Sequence, residues 1–470
     1  MTLLLRNAEV DGRRVDVRVR DGRVVAVEAA GPDRSLRPST SVGPAGPGRA
    51  AGSGGAHRPG SPAGPDEVVD CGGGALLPGL VDHHLHLHAL AAARRSVRAP
   101  ADHAALAAVL AAAEADAHGW VRGVGYPGDD LDAAALDRLH PDRPVRIQHR
   151  SGALWVLNAK ALAAVGPTDH PGVERGPDGT PTGRVLRADD WLRSRLPASA
   201  PPDLSALGAE LAALGLTALT DATPDLEPGA AASLTAVPQR LTLLGVPLGA
   251  EPPAGAVAGP YKIVLADSGL PTLDELVGRI REAHAVGRSV AVHSVTRESL
   301  VLLVVALREA GVRTGDRIEH AAVVPAELVG ELPAVVTQPG FLTDRGDLFR
   351  RETPAAEHGD LYRCASLVAA GVPLALSSDA PYGPVDPWEV IAAATTRTTP
   401  DGAALGPAER LTARAALDRY LAEEPGGPPR RIAPGLPADL VLLHDPLAEA
   451  LRRPTAEQVR AVWIGGELRT

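Results

Sequence analysis

The chain opens on alternating apolar and polar positions over residues 2–28, interrupted by Asp11-Gly12 and Asp21-Gly22. Alternation of period two with Asp-Gly at the reversals predicts antiparallel hairpins. From residue 75 the pattern changes. Short apolar runs at 75–81, 216–221, 240–246, 261–266, 289–292, 317–319, 334–337 and 373–377 alternate with stretches of helical period such as 272–286 and 297–310. Repeated strand–helix units predict parallel strands joined by right-handed crossovers. Eight of them predict an α/β fold, a (β/α)₈ TIM barrel. Residues 90–210 are too many for one crossover and read as an inserted, Ala-rich subdomain with its own helices. Alternation returns at 438–443 and 459–467, with Gly465-Gly466 between runs. The expected organisation is a small, discontinuous β-sandwich from both chain ends, residues 1–74 and 433–470, around a barrel at 75–432.

Residues 31–66 hold 9 Gly, 7 Pro and 5 Ser, with Leu36 and Val42 the only bulky apolar side chains. Such a stretch buries too little to offset its chain entropy and reads as a disordered insert. The remaining chemistry narrows the class. Two cysteines, Cys71 and Cys364, exclude a disulfide scaffold or a Cys-rich metal module. A net charge of −10 argues against nucleic acid or an anionic membrane as partner. The longest apolar run, 300–307, is far short of a membrane span of about 20 residues. No secretory h-region precedes the first hairpin, so a cytoplasmic location is the expectation. Homo-oligomerisation is compatible with the sequence and not set by it. Of 47 basic residues all but Lys160 and Lys262 are Arg.

Candidate chemistry begins in PGLVDHHLHLH, residues 78–88. His84 and His86 are two apart, so on a strand both imidazoles point to one face. His293, His320 and Asp379 each end a later apolar run, on the fifth, sixth and eighth predicted strands. Lys262 lies on the fourth. Barrel active sites sit at the C-terminal strand ends, so these side chains should converge on one mouth. Imidazoles with a carboxylate suit zinc and similar divalent ions. An ammonium cannot bind metal. Lys262 is therefore either a carbamate, a two-oxygen anion able to bridge two ions, or a buried lysine paired with an acid such as Asp267. His149, in RIQHRSGALW, either faces the cleft toward substrate or caps a local fold.

These residues together resemble the amidohydrolase superfamily. The strand-1 His-x-His, Lys262, VAVH, RIEH and SSDAP carry the likeness. HRSGALWVLNAKAL at 149–162, GPDGTPTGR at 176–184, PGLPADLVLL at 434–443 and VWIGGEL at 462–468 resemble its amidohydrolase-3 group, the YtcJ-like proteins and N-substituted formamide deformylases. The resemblance covers nearly the whole chain except 31–66. It implies a twisted (β/α)₈ barrel, a β-sandwich and a centre of two zinc ions. His84 and His86 would hold the more buried ion with Asp379. Lys262, as its carbamate, would bridge, and His293 and His320 would hold the second ion. The sequence departs from the group at VHSVTRESL after the fifth strand and at the short LADSGLP after the fourth, so the resemblance does not carry a particular substrate over.

The expected activity is hydrolysis of a non-peptide carbon–nitrogen bond in a small molecule by metal-activated hydroxide, with Asp379 as proton shuttle. A mononuclear deaminase, or an ester or lactone hydrolase, could use the same constellation. A non-catalytic assembly protein would be marked by replaced ligand positions, and none is replaced.

Overall fold

A computed structural model describes residues 2–30, 67–197, 203–266 and 269–470. Residues 31–66, and with them the expected disordered insert, lie outside the described residues, as does Asp267.

Nine strands run parallel in two sheets, eight at the predicted positions and a ninth, Ala256–Ala258, beside Arg240–Leu243. The first sheet pairs β1 (Leu80–Leu85) with β2 (Leu216–Asp221) and β2 with β3 (Arg240–Leu243). The second runs in order through β4 (Tyr261–Val264), β5 (Val290–Ser294), β6 (Arg317–His320), β7 (Ala334–Thr337) and β8 (Leu374–Leu376). Backbone hydrogen bonds tie the two sheets at both edges. Lys262 N donates to Leu244 O at 3.1 Å. At the other edge Asp379 N donates to His84 O at 2.8 Å and His86 N to Ala380 O at 2.9 Å.

The connecting helices begin where the sequence puts capping residues. Leu273–Ala285 starts on a Thr272/Glu275 capping box, and Arg297–Ala310 starts on Thr296 and stops before Gly311. Their apolar faces pack on the outer strand positions, with Leu276, Ile280, Leu300, Leu303 and Leu307 against Val290, Val292 and Ile318. No helix among the described residues is long and apolar enough to cross a membrane.

One predicted strand splits. Within 75–81, Leu76–Pro78 pairs antiparallel with Leu440–Leu443, and the parallel strand begins only at Leu80. Gly79 makes the switch: a Cβ there would lie 2.1 Å from Thr217 Oγ1. The N-terminal strands Thr2–Val10, Arg13–Arg20 and Arg23–Ala29 form the expected hairpins, with Asp11, Gly12, Asp21 and Gly22 at positive φ as such turns require. Leu3, Leu5, Val17 and Val19 share one core with Leu440, Leu442 and Trp463 from the chain's other end.

The segment between β1 and β2 holds more than helices. It carries a six-stranded sheet, in order Val173–Arg175, Pro181–Leu186, Leu154–Leu157, Val145–His149, Val121–Tyr126, Val97–Arg98. Sequence reading misses it because its strands are short, with two glycines in VRGVGY and a single arginine in each of VRGVGY and VRIQH. These strands bury one face on Leu106, Leu110 and Leu136 and keep a charged one.

Candidate active site

Five of the parallel strands deliver side chains to one place. His84 lies near the end of β1 and His86 just past it. Lys262, His293 and His320 come from β4, β5 and β6, and Asp379 stands three residues past β8. Asp379 is at the centre. His84 Nε2 lies 3.5 Å and His86 Nε2 3.3 Å from its Oδ1, and His320 Nδ1 lies 3.7 Å from its Oδ2. Lys262 Nζ is 3.5 Å from His84 Nε2. The ring centroids of His293 and His320 are 4.5 Å apart, and those of His84 and His320 are 4.8 Å apart. All six residues singled out in the sequence are brought together. His149 is not among them: its Nδ1 meets Ser151 Oγ at 2.8 Å, and its Nε2 lies 3.9 Å from Asp129 Oδ1.

His84, His320 and Asp379 can offer ligand atoms all within 4.8 Å of one another. Asp379 Oδ1 is buried with no hydrogen-bond partner. An orphaned buried carboxylate oxygen is costly unless a cation meets it. Burial pushes the imidazoles of His84 and His320 well below the ordinary histidine range. It holds His293 down to about 3, with the charge of Lys262 as the second cause. Burial lowers the Lys262 amine as well. Neutral imidazoles are the form that ligates a metal. The donor set therefore fits a divalent ion bound by nitrogen and oxygen.

A profile of the Amidohydrolase family matches residues 67–469. The chain belongs to the amidohydrolase family. This amidohydrolase is 26% identical to N-substituted formamide deformylase of Arthrobacter pascens over 492 aligned residues, covering 87% of this chain and 90% of that protein. It is 27% identical to the putative amidohydrolase YtcJ of Bacillus subtilis strain 168 over 483 aligned residues, covering 86% and 90%. Its fold is similar to the crystal structure of an uncharacterized metal-dependent hydrolase from Pyrococcus horikoshii OT3, with a TM-score of 0.69 at 18% identity over 94% of this chain and 97% of that one. It is an enzyme, a metal-dependent hydrolase of carbon–nitrogen bonds.

Behind the amidohydrolase's candidate ligands stands a ring of residues the sequence reading passed over. Glu319 is fully buried and accepts from Arg317 Nε at 2.6 Å, while its other oxygen accepts from His84 Nδ1. A carboxylate can only accept here, so the proton sits on Nδ1 and the Nε2 lone pair is left for the site. Arg317 in turn donates to His83 O at 3.1 Å. Gln338 Nε2 donates to Ser377 Oγ, which leaves its Oε1 to accept from His320 Nδ1 at 2.9 Å. His86 Nδ1 meets Thr223 Oγ1 at 3.2 Å. Asp221 holds that turn by accepting from Leu87 N and Thr223 N.

Strand parity alone would misplace His320. Arg317 and Glu319 share the inward face of β6, so residue 320 should point out. A φ of 71° at His320, followed by 47° at Ala321, turns the side chain back into the mouth. Asp379 is likewise at φ 52°. Left-handed backbone in residues other than glycine is costly and concentrates at functional sites.

Glu319→Gln tests the ring. Metal affinity is expected to fall about 10- to 100-fold in a chelator competition, because the amide no longer fixes the His84 tautomer. Wild-type affinity would mean that the Arg317–Glu319 pair serves packing alone.

Proposed function

We propose that this chain is a two-zinc hydrolase that cleaves a non-peptide, amide-type carbon–nitrogen bond in a small molecule. The observation that carries this reading is the convergence of two imidazoles on the partnerless Oδ1 of Asp379, with His320 beside its other oxygen, Lys262 beside His84 and His293 beside His320. His84 and His86 would hold the more buried ion with Asp379. Lys262, as its carbamate, would join it to a second ion that His293 and His320 would hold. The depressed Lys262 amine supports this role, since only a neutral amine adds to carbon dioxide. Bound divalent ions supply Lewis acidity, polarising a carbonyl and making water more acidic.

The chain's own residues do the rest. Asp379 takes the proton of the attacking water on its carboxylate and returns it to the leaving nitrogen. The buried His84 and His320 stay neutral, with their rings held through Glu319 and Gln338, and Thr223 holds the ring of His86. Loop 149–152 borders the mouth, because Gly152 lies where a Cβ would come 2.7 Å from Tyr382 Cε1, and the Tyr382 ring is 5.6 Å from that of His86. This supports His149 as a substrate contact at the rim. The edge hydrogen bonds support closure of the eight strands into a (β/α)₈ barrel, and the shared terminal core supports a β-sandwich built from both chain ends. Both cysteines are free and buried, which suits the reducing cytoplasm.

The test is zinc reconstitution followed by a screen of N-formyl, N-acyl, carbamate, ester and lactone compounds. Turnover of at least one amide-type compound is expected. A fully loaded protein that turned over only lactones or esters, or nothing, would overturn the reading.

A further inference from the structure

We propose that the substrate of this centre carries a carboxylate or comparable oxyanion, held by Arg122 and Arg146 of the inserted sheet. This rests on the hydrolase reading above and names the substrate class of the same site.

The two arginines are neighbours across the strand pair Val121–Tyr126 and Val145–His149, in direct register. Both guanidinium groups lie over one indole, with Arg122 Cζ 5.3 Å and Arg146 Cζ 5.2 Å from the Trp155 ring centroid. Both are half-buried. Among the described residues neither makes an ion pair. Among the described residues the only hydrogen bond from the Arg122 side chain runs to Ser96 Oγ at 2.7 Å, and the buried Arg146 Nε has no partner. Two carboxylates act on them through space but are engaged elsewhere. Asp189 accepts from Trp155 Nε1 at 2.8 Å, and Asp116 accepts from the backbone of His118 and Trp120.

Two like charges held side by side, half out of water, without a counter-ion are unfavourable. The rest of the chain shows no shortage of partners: Arg240, Arg297, Arg317 and Arg363 all pair with buried or half-buried acids. Burial lowers Arg122 to about 10, with Arg146 as the next cause, so the repulsion is present in the fold. Such a pair is a preformed anion site, and two guanidinium forks suit a carboxylate.

The pair also sits where a substrate would extend. Gln148 stands on the same sheet face as Arg146 and donates to Gly152 O at 2.9 Å. Gly152 abuts Tyr382, and Tyr382 meets His86. Ser96, the partner of Arg122, follows the helix Leu87–Arg94 that leaves the His-x-His strand. A chain of contacts thus runs from the strand of Arg146 through Gly152 and Tyr382 to the metal ligands. An amide at the centre with an anionic end reaching past Tyr382 would meet both.

The test uses matched pairs, N-acetylglycine with N-acetylglycinamide and N-benzoylglycine with N-benzoylglycinamide. Each is titrated calorimetrically into the full-length, zinc-loaded protein, and hydrolysis is followed in parallel. The acids are expected to bind about 10- to 100-fold tighter than their amides. That ratio should collapse toward one in Arg122→Gln and in Arg146→Gln, and be partly retained in Arg122→Lys, with thermal melts confirming that each variant is folded. Equal binding of acid and amide by the wild type overturns the inference whether or not either is hydrolysed. A preference that survives in both glutamine variants also overturns it, since the carboxylate would then sit on the metal. A preference abolished by the variants, with no hydrolysis of any amide, upholds the anion site and sinks the carbon–nitrogen reading instead.

Discussion

Lys262→Arg is expected to strip the protein of its paired metals and to lower turnover at least about 100-fold, as removal of several kcal/mol of transition-state stabilisation requires. The reason is chemical rather than steric. An arginine keeps a positive charge at neutral pH and offers no amine that can add carbon dioxide. Lys262 is 4% exposed, its Nζ meets His84 Nε2, and burial lowers its basicity. Lys160→Arg is the control. Lys160 is exposed and makes one hydrogen bond from its side chain, to Asp142 O at 2.8 Å, which a guanidinium can replace. Its stability is expected to stay within about 0.5 kcal/mol and its activity near wild type. Elemental analysis of both proteins decides the matter. Two ions per chain in the wild type and fewer in Lys262→Arg support the bridge. One ion per chain, unchanged by the substitution, would favour the mononuclear deaminase.

Asp379→Asn is expected to separate metal binding from proton transfer. The amide keeps an oxygen in place and loses the ability to take a proton. Turnover should fall about 10²- to 10⁴-fold, the range for a general acid–base group. Metal content should fall much less, because His84, His86, His293 and His320 remain. Paired measurements of turnover and bound metal on one preparation test this. Near-normal turnover would remove the proton-shuttle role. Loss of metal in proportion to activity would reduce Asp379 to a ligand.

Much of this site is legible along the chain because its parts are short and local. A His-x-His pair at the end of an apolar run has one geometry on a strand, and runs ending at His293, His320 and Asp379 share one placement. What surrounds those residues is harder to read. Glu319 is adjacent to His320 in RIEH, yet its partner is His84, 235 residues away. Gln338 follows β7 and looks like a loop residue until it is seen bonded to His320 and Ser377. A carboxylate beside a histidine in sequence gives no sign of which ring it will orient.

The inserted sheet shows the same limit. Its strands are two to six residues long and three of them carry an arginine at the second position, which reads as solvated surface. Only the pairing of Arg122 with Arg146 over Trp155, and the absence of an acid paired with either among the described residues, turns two surface charges into a pair in need of an anion.

The sequence by itself determined the strand–helix alternation, the hairpins at the first end and the six convergent residues, Lys262 among them. These follow from periodicity and side-chain chemistry, which act within a few residues. The tertiary structure alone decided that Gly79 divides one apolar run between two sheets, that left-handed turns at His320 and Asp379 aim their side chains into the mouth, and that Glu319, Thr223 and Gln338 hold the rings. Each of these depends on a contact between distant segments, and no local pattern encodes which distant segment arrives.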